Sequence, residues 1–451
     1  MLADFRQPEI YRQHDLRLKS ENDYKNARLF ETAEEAAMSP STRTAASADI
    51  ELARRLAPVI RFCDNEPFLP SRVGISVLTA PARSPSAALD ITFEPGVAKV
   101  IEYAIWWDWD IQHLYELEHI WLKLNAADEI VAVEASAHGG IFAMRQADGS
   151  LPTEAGRVML LSTPGKHAFT VTTAQQAKTA ELTTISCQEL AGRGGILIND
   201  MFRDQLTEVT PEDHRAVKRY LQSRAFLPTF NFGQFFDLAQ AEFSFWDELA
   251  AWIPGRVKTV LAQVRQEQPL LKAVFLDSGD TLVDEATERF DADGYVVEAG
   301  LIPGALEMVR SLANDGYRLA LVADGRVRSF ANVLGGHGIS PHFHAQVISE
   351  SEGCEKPDRR MFQKAMASLG LAADDAEAIV MVGNHLERDI GGANQLGIIS
   401  VWQNWSKKRT HVPAGAAEVP RYTIRSPGEL PGLLADIERQ MARIKFNPSP
   451  P

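Results

Sequence analysis

The sequence predicts an α/β chain: a doubly wound parallel sheet over residues 269–445, preceded by a mainly β sandwich over residues 51–210 and a helical connector over 211–268. Three observations carry this. Beyond Leu270, short fully apolar runs alternate with longer amphipathic segments, the pattern of a parallel sheet covered on both faces. Between Pro58 and about Arg203, runs rich in Val, Ile, Thr and aromatics alternate in period two and are broken by Gly, Pro, Asn and Asp, as in a sandwich or barrel. The 451 residues leave room for two or three domains of roughly 100–200 residues each.

Residues 1–50 are polar and read as a loosely attached arm with a helix at Asn26–Ala37. A short helix follows at Ile50–Leu56, capped by Ser47 or Asp49. The runs PVIRFC, VGISVLT, VAKVIEYAIWW, EHIWLKL, EIVAVEASA, GRVMLLST and HAFTV are the strands of the sandwich. Pro211–Gln268 reads as helical, and its aromatic cluster FLPTFNFGQFFDLAQAEFSFW reads as packing against a neighbouring domain rather than as a ligand cage. From there KAVFLD, RLALVA, AIVMVG and GIISVW are strands. PGALEMVRSLANDG, DRRMFQKAMASLG and LERDIGGANQLG are helices, the first with Pro303 near its start and Gly316 after its end.

Composition narrows the partners. A formal net charge of −14 disfavours duplex nucleic acid and anionic membranes. The three cysteines are widely spaced and form no CxxC pair, which argues against a disulfide framework or a thiolate zinc site. The N-terminal residues carry no apolar run of a secretory kind, and no stretch is long and apolar enough to span a membrane. The expectation is a cytoplasmic protein that is free to form a homo-oligomer.

An open parallel sheet binds its ligand at the carboxyl ends of its strands. Those ends carry Asp277-Ser278-Gly279-Asp280-Thr281, then Ala323-Asp324-Gly325, then Gly383-Asn384 with Asp389 beyond, and a loop supplies Lys356-Pro357-Asp358. Asp277 and Asp389 have the oxygen chemistry that magnesium prefers. The ion and Lys356 would screen Asp277 so that a carboxylate can attack a phosphate. In order and placement these four segments resemble the motifs of the haloacid dehalogenase superfamily, over Lys272 to Glu438. The resemblance implies a Rossmann-like fold and an aspartyl-phosphate on Asp277, with Thr281 holding that loop and Lys356 binding nucleophile and phosphate. Asp324 and Gly325 fall on the substrate side. Mg2+ would be held by Asp277, Asp389, Asn384 and the backbone carbonyl of Gly279.

The sequence departs from the family pattern in three places. Gly279 stands where the usual loop has the acid/base Asp, and Asp280 follows one residue late as a substitute candidate. Ala323 replaces a Ser or Thr, and Asn384 replaces an Asp. A lost acid/base costs about 10²–10⁴-fold. The segment Val283–Leu301 is too short for a helical cap, so the site is either open to a large substrate or covered by the N-terminal domain.

The N-terminal part gathers Asp108, Asp110, His113, Glu116 and Glu118. On a strand, Glu116 and Glu118 share a face and, with an imidazole, suit a divalent cation. Together with the later Ser136-Ala137-His138-Gly139-Gly140 they resemble the necrosis-inducing proteins and the vacuolar-sorting-related proteins that share their core. That resemblance implies a β-sandwich with a second divalent-cation site. The rival reading is a solvated acidic sheet face.

The reading of function is a magnesium-dependent hydrolase acting on a phosphate monoester, in a small phosphorylated molecule or a larger phosphorylated substrate. The alternative is a non-catalytic ligand-binding or regulatory protein with a degenerate C-terminal domain.

Overall fold

The computed structural model describes residues 40–137, 140–406 and 408–446. The expected helix at 26–37 lies outside them. The first described element, α1 (Pro40–Leu56), begins ten residues before the expected Ile50, so Ser47 and Asp49 sit inside it and cap nothing. Its buried Leu52, Ala53 and Leu56 join the N-terminal core, where the Tyr103 hydroxyl donates to the Ala53 carbonyl at 2.7 Å.

Two sheets build the N-terminal region. The larger contains β2 (Arg72–Leu78), β3 (Lys99–Trp109), β4 (His113–Leu124), β5 (Ile130–Ala137) and β6 (Gly140–Ala143) as antiparallel neighbours. The smaller is built on β1 (Val59–Phe62), flanked by β7 (Arg157–Ser162), with β8 (Phe169–Thr170) outside β7. Strand β3 is buried on both faces, and its alternation decides what each tryptophan meets. Trp107 faces the smaller sheet, 6.4 Å from Phe169, while Trp106 faces outward onto Trp252 at 6.1 Å.

The connector departs from the all-helical expectation. Helices α2 (Pro211–Ser223) and α3 (Trp246–Glu267) do form. Between them the aromatic run makes two four-residue strands. Gln234–Asp237 pairs antiparallel with β1, and Glu242–Phe245 pairs parallel with β2, so the connector closes both sheets of the N-terminal domain. Helix α3 packs so closely on β2 that a Cβ on Gly74 would lie 3.3 Å from the Trp246 Cα.

The C-terminal domain has six parallel strands: β9 (Ala273–Leu276), β10 (Leu319–Ala323), β11 (Ala345–Ile348), β12 (Ile379–Gly383), β13 (Ile399–Gln403) and β14 (Tyr422–Ile424). Their order in the sheet is β11-β10-β9-β12-β13-β14. Val274 and Leu276 point into one core and Ala273 and Phe275 into another, which is why these strands read as continuously apolar. The order reverses between β9 and β12, and a ligand crevice opens at such a switch point.

The segment after β9 makes a short 3₁₀ turn at Glu285–Thr287 and a two-stranded flap, Arg289–Phe290 against Val296–Glu298. No helical cap forms there. Helix α2 docks where the strands begin: Arg215 donates to the carbonyls of Asp315 and Leu271, just ahead of β10 and β9, and Pro211 and Glu212 lie against Gly316. Among the described residues, α2 and the N-terminal core packed on it thus meet the sheet at the end opposite the site, not over it as the lid expectation has it. Among the described residues no helix is long and apolar enough to cross a membrane.

Candidate active site

Asp277 directly follows β9 and is 8% exposed. The Lys356 ammonium lies 2.7 Å from Asp277 Oδ1 and 2.6 Å from Asp389 Oδ1, so one cation holds two carboxylates in the crevice. Burial opposes the charge on Lys356, but Asp277, Asp389 and Asp324 outweigh it and raise its pKa. Burial, with Asp277 beside it, pushes the Asp389 carboxyl up against the pull of Lys356. The Thr281 hydroxyl donates to Asp277 Oδ2 at 3.2 Å, and the Thr281 carbonyl accepts from Gln403 Nε2 at 2.8 Å. The His385 N–H donates to Asp389 Oδ2 at 2.9 Å.

Asp389 folds back over Gly383. A Cβ there would overlap its carboxyl group and lie 2.6 Å from its Cβ. Gly383→Ala is therefore expected to displace Asp389 and to lower stability by about 1–3 kcal/mol, as overpacking does. Thermal melting and magnesium-dependent hydrolysis, measured together, check both effects.

The residues fit a divalent ion. Two buried carboxylates are brought together on one ammonium, and the side-chain nitrogen of the buried Asn384, next after β12, has no hydrogen-bond partner among the described residues, as an amide whose oxygen could serve an ion would leave it. Gly279 lies on the same loop.

Other sequence candidates are placed differently. Asp280 is 2% exposed, adopts φ +47°, and accepts the Glu285 N–H at 3.1 Å, so it braces the loop rather than standing at its mouth. Asp324 accepts the Lys356 N–H at 3.0 Å and lies 3.2 Å from Arg388 Nη1. The Gly325 N–H goes to Ser349 Oγ at 2.9 Å. Asp324 thus positions the lysine loop, and the second motif presents no side-chain donor to a phosphate. Sequence reasoning missed Glu285. A Cβ built on Gly279 would overlap its Oε1 and lie 3.0 Å from its Cδ. Burial, and the charges of Asp280 and Asp277, raise the Glu285 carboxyl pKa against the pull of Arg409.

The second cluster lies at the β3–β4 turn. One donor atom each from Asp110, His113 and Glu116 lies within 4.8 Å of the others, an arrangement that could hold a metal ion. His113 Nδ1 lies 3.0 Å from the Tyr115 carbonyl, which leaves Nε2 turned toward the two carboxylates at 3.7 Å each. Burial pushes the Glu116 carboxyl up, with Glu118 and Asp110 adding to it.

Asp108 is not part of this group. It pairs with Arg256 of α3 through contacts of 2.9 and 2.7 Å. The Glu118 carboxylate, outside the three-residue group, accepts from the Ser136 hydroxyl. The sequence reading also missed Lys166, whose ammonium lies 2.6 and 2.7 Å from the two Asp110 oxygens. Burial opposes the charge on Asp110, but Lys166 and His113 outweigh it and hold its carboxyl well below the usual range. His138 and Gly139 of the expected turn lie outside the described residues.

Residues 206–397 match the family model of the haloacid dehalogenase-like hydrolases. Over 141 residues the chain is 33% identical to glyceraldehyde 3-phosphate phosphatase of Methanopyrus kandleri, covering 31% of this chain and 58% of that protein. Over 102 residues it is 33% identical to phosphoserine phosphatase of Thermus thermophilus, covering 23% of this chain and 40% of that one. The structure of a HAD phosphatase from Thermococcus onnurineus covers 36% of this chain and 97% of its own, at 19% identity and a TM-score of 0.30. The chain spans about half the length of the curated relatives it matches. With the four motif segments gathered at the switch point of a parallel sheet, and with these sequence matches, the C-terminal domain is a haloacid dehalogenase-like hydrolase domain.

Proposed function

We propose that the protein hydrolyses phosphate monoesters through an aspartyl-phosphate on Asp277. The observation that carries this is the Lys356 ammonium shared by Asp277 and Asp389 in the crevice at the switch point. Lys356 holds the nucleophile against the phosphate's charge, and Thr281 fixes the nucleophile's second oxygen. Bound at Asp277, Asp389, Asn384 and the Gly279 carbonyl, Mg2+ would neutralise charge on the phosphoryl group. The relatives act, by their names, on small phosphorylated metabolites, and that substrate class is proposed here too. Cys63, Cys187 and Cys354 are all free thiols, which suits a reducing, cytoplasmic setting. A panel of phosphorylated metabolites assayed for phosphate release with and without magnesium tests the reading. Magnesium-dependent release from one class supports it, and silence across the panel with intact magnesium binding overturns it.

The second reading, a binding or regulatory protein, draws on the second motif. Ala323 has no side-chain donor, and the Asp324 carboxylate and the Gly325 N–H are already engaged. It is the outcome if the panel is silent.

We further propose that Asp110, His113 and Glu116 hold a structural divalent ion, as their convergence supports. A ligand bound only by the folded state at a hundredfold excess over its Kd adds about 2.7 kcal/mol. Chelation is expected to lower the full chain's melting temperature, and the drop should shrink in Glu116→Gln. An equal drop in both proteins contradicts the site.

A further inference from the structure

The first motif lacks its second carboxylate, yet the structure places a carboxylate over the position where that side chain would stand. Glu285 opens the 3₁₀ turn after the motif loop, and its backbone N–H is anchored on Asp280 Oδ1 at 3.1 Å. That anchor folds the side chain back across the loop. A Cβ on Gly279 would collide with the Glu285 carboxyl oxygen, with Cδ at 3.0 Å and Cγ at 3.3 Å. A side chain at position 279 and the carboxylate of Glu285 therefore compete for one space, and the absence of a side chain at Gly279 is what admits Glu285. The Glu285 side chain is 29% exposed, so solvent and a ligand can reach it, and its other oxygen lies 3.4 Å from Arg409 Nη2.

We infer that Glu285 supplies from outside the motif the proton-transferring carboxyl that the motif itself lacks; this rests on the phosphatase reading above. Asp277 attacks phosphorus, and the bond from phosphorus to the leaving oxygen breaks with its electron pair on that oxygen. Glu285 gives that oxygen its proton, which frees the alcohol. The resulting Glu285 carboxylate then takes a proton from the water that attacks the aspartyl-phosphate. The bond between phosphorus and the Asp277 oxygen breaks, inorganic phosphate leaves, and both side chains return to their starting states. Thr281 and Lys356 hold the nucleophile throughout and move no proton in this scheme. Arg409 is a positioning residue that steadies the carboxylate.

The test uses the full-length protein with magnesium and a series of phenyl phosphates, from phenyl phosphate to 4-nitrophenyl phosphate. A leaving group that is a strong acid needs no proton, and a weak acid does. Glu285→Ala and the volume-conserving Glu285→Gln are expected to lower kcat/KM for phenyl phosphate by about 10²–10⁴-fold, with far smaller loss for 4-nitrophenyl phosphate. The dependence of rate on leaving-group acidity thus steepens, which a merely structural loss would not produce. Gly279→Asp in the Glu285→Ala background is expected to restore the shallow dependence, because the collision is gone. An unchanged dependence in both Glu285 variants, with turnover still abolished by Asp277→Asn, overturns the role of Glu285 and leaves the phosphatase reading standing. Turnover unaffected by Asp277→Asn overturns the reading and the inference together.

Discussion

Asp277→Asn is expected to lower phosphate-ester turnover on the order of 10⁴–10⁶-fold, the scale on which loss of a covalent nucleophile acts. An amide cannot form the acyl-phosphate. The fold should survive, for an electrostatic reason. In the native site two buried carboxylates share one ammonium, so the crevice carries excess negative charge. With a neutral amide at position 277 the Lys356–Asp389 pair remains and is balanced. The melting temperature in the absence of metal should therefore hold or rise. Circular dichroism and steady-state hydrolysis on the same preparation separate the two effects. A variant that unfolds would show that Asp277 has a structural role this account does not give it.

Glu438→Gln is expected to cost about 3–5 kcal/mol of stability, since removing one member of a buried ion cluster leaves the others uncompensated. Glu438 lies in the last helix, Leu430–Phe446, and is fully buried. Its Oε2 accepts from Arg219 Nε at 2.8 Å and from the Tyr317 hydroxyl at 3.2 Å. Its Oε1 accepts the Leu271 N–H at 3.2 Å and lies 3.3 Å from Arg215 Nε. Both arginines belong to α2, whose Ala216, Val217 and Leu221 pack in the N-terminal core, so this carboxylate ties that core to the C-terminal sheet. Urea denaturation should show the loss, and calorimetry should split one transition into two as the domains uncouple. A single unshifted transition would mean that the carboxylate contributes little to the docking.

What was legible in the sequence follows the range of the interactions. The strands β9, β10 and β12 are apolar on both faces, and each is followed at its carboxyl end by polar residues of the site: Asp277, Asp324 and Asn384. Asp277 and Asp389 are therefore legible in the sequence, and Lys356 is legible through its Lys-Pro-Asp loop. The same locality made β3 and β4 readable and brought Asp110, His113 and Glu116 forward, all within one turn of chain.

The failures come from partners distant in sequence. Gln234–Asp237 and Glu242–Phe245 are four-residue strands whose ladders run to β1 and β2, far upstream, and a phenylalanine-rich run that short carries no period of its own. Asp108 and Asp110 look alike in sequence. Arg256 claims the first and Lys166 the second, and neither ion pair is local. Glu285 is not legible in the sequence because its relation to Gly279 is steric, set by how the loop folds back rather than by motif spacing.

Chemical trapping of the intermediate tests the aspartyl-phosphate on Asp277 directly. The full-length protein is mixed with 4-nitrophenyl phosphate and magnesium, quenched in acid within the first turnover, and treated with borohydride, which reduces an acyl-phosphate to an alcohol. Peptide mass analysis is expected to find homoserine at position 277 and nowhere else. Phosphate release with an unmodified Asp277, or with the label on another residue, would contradict the account.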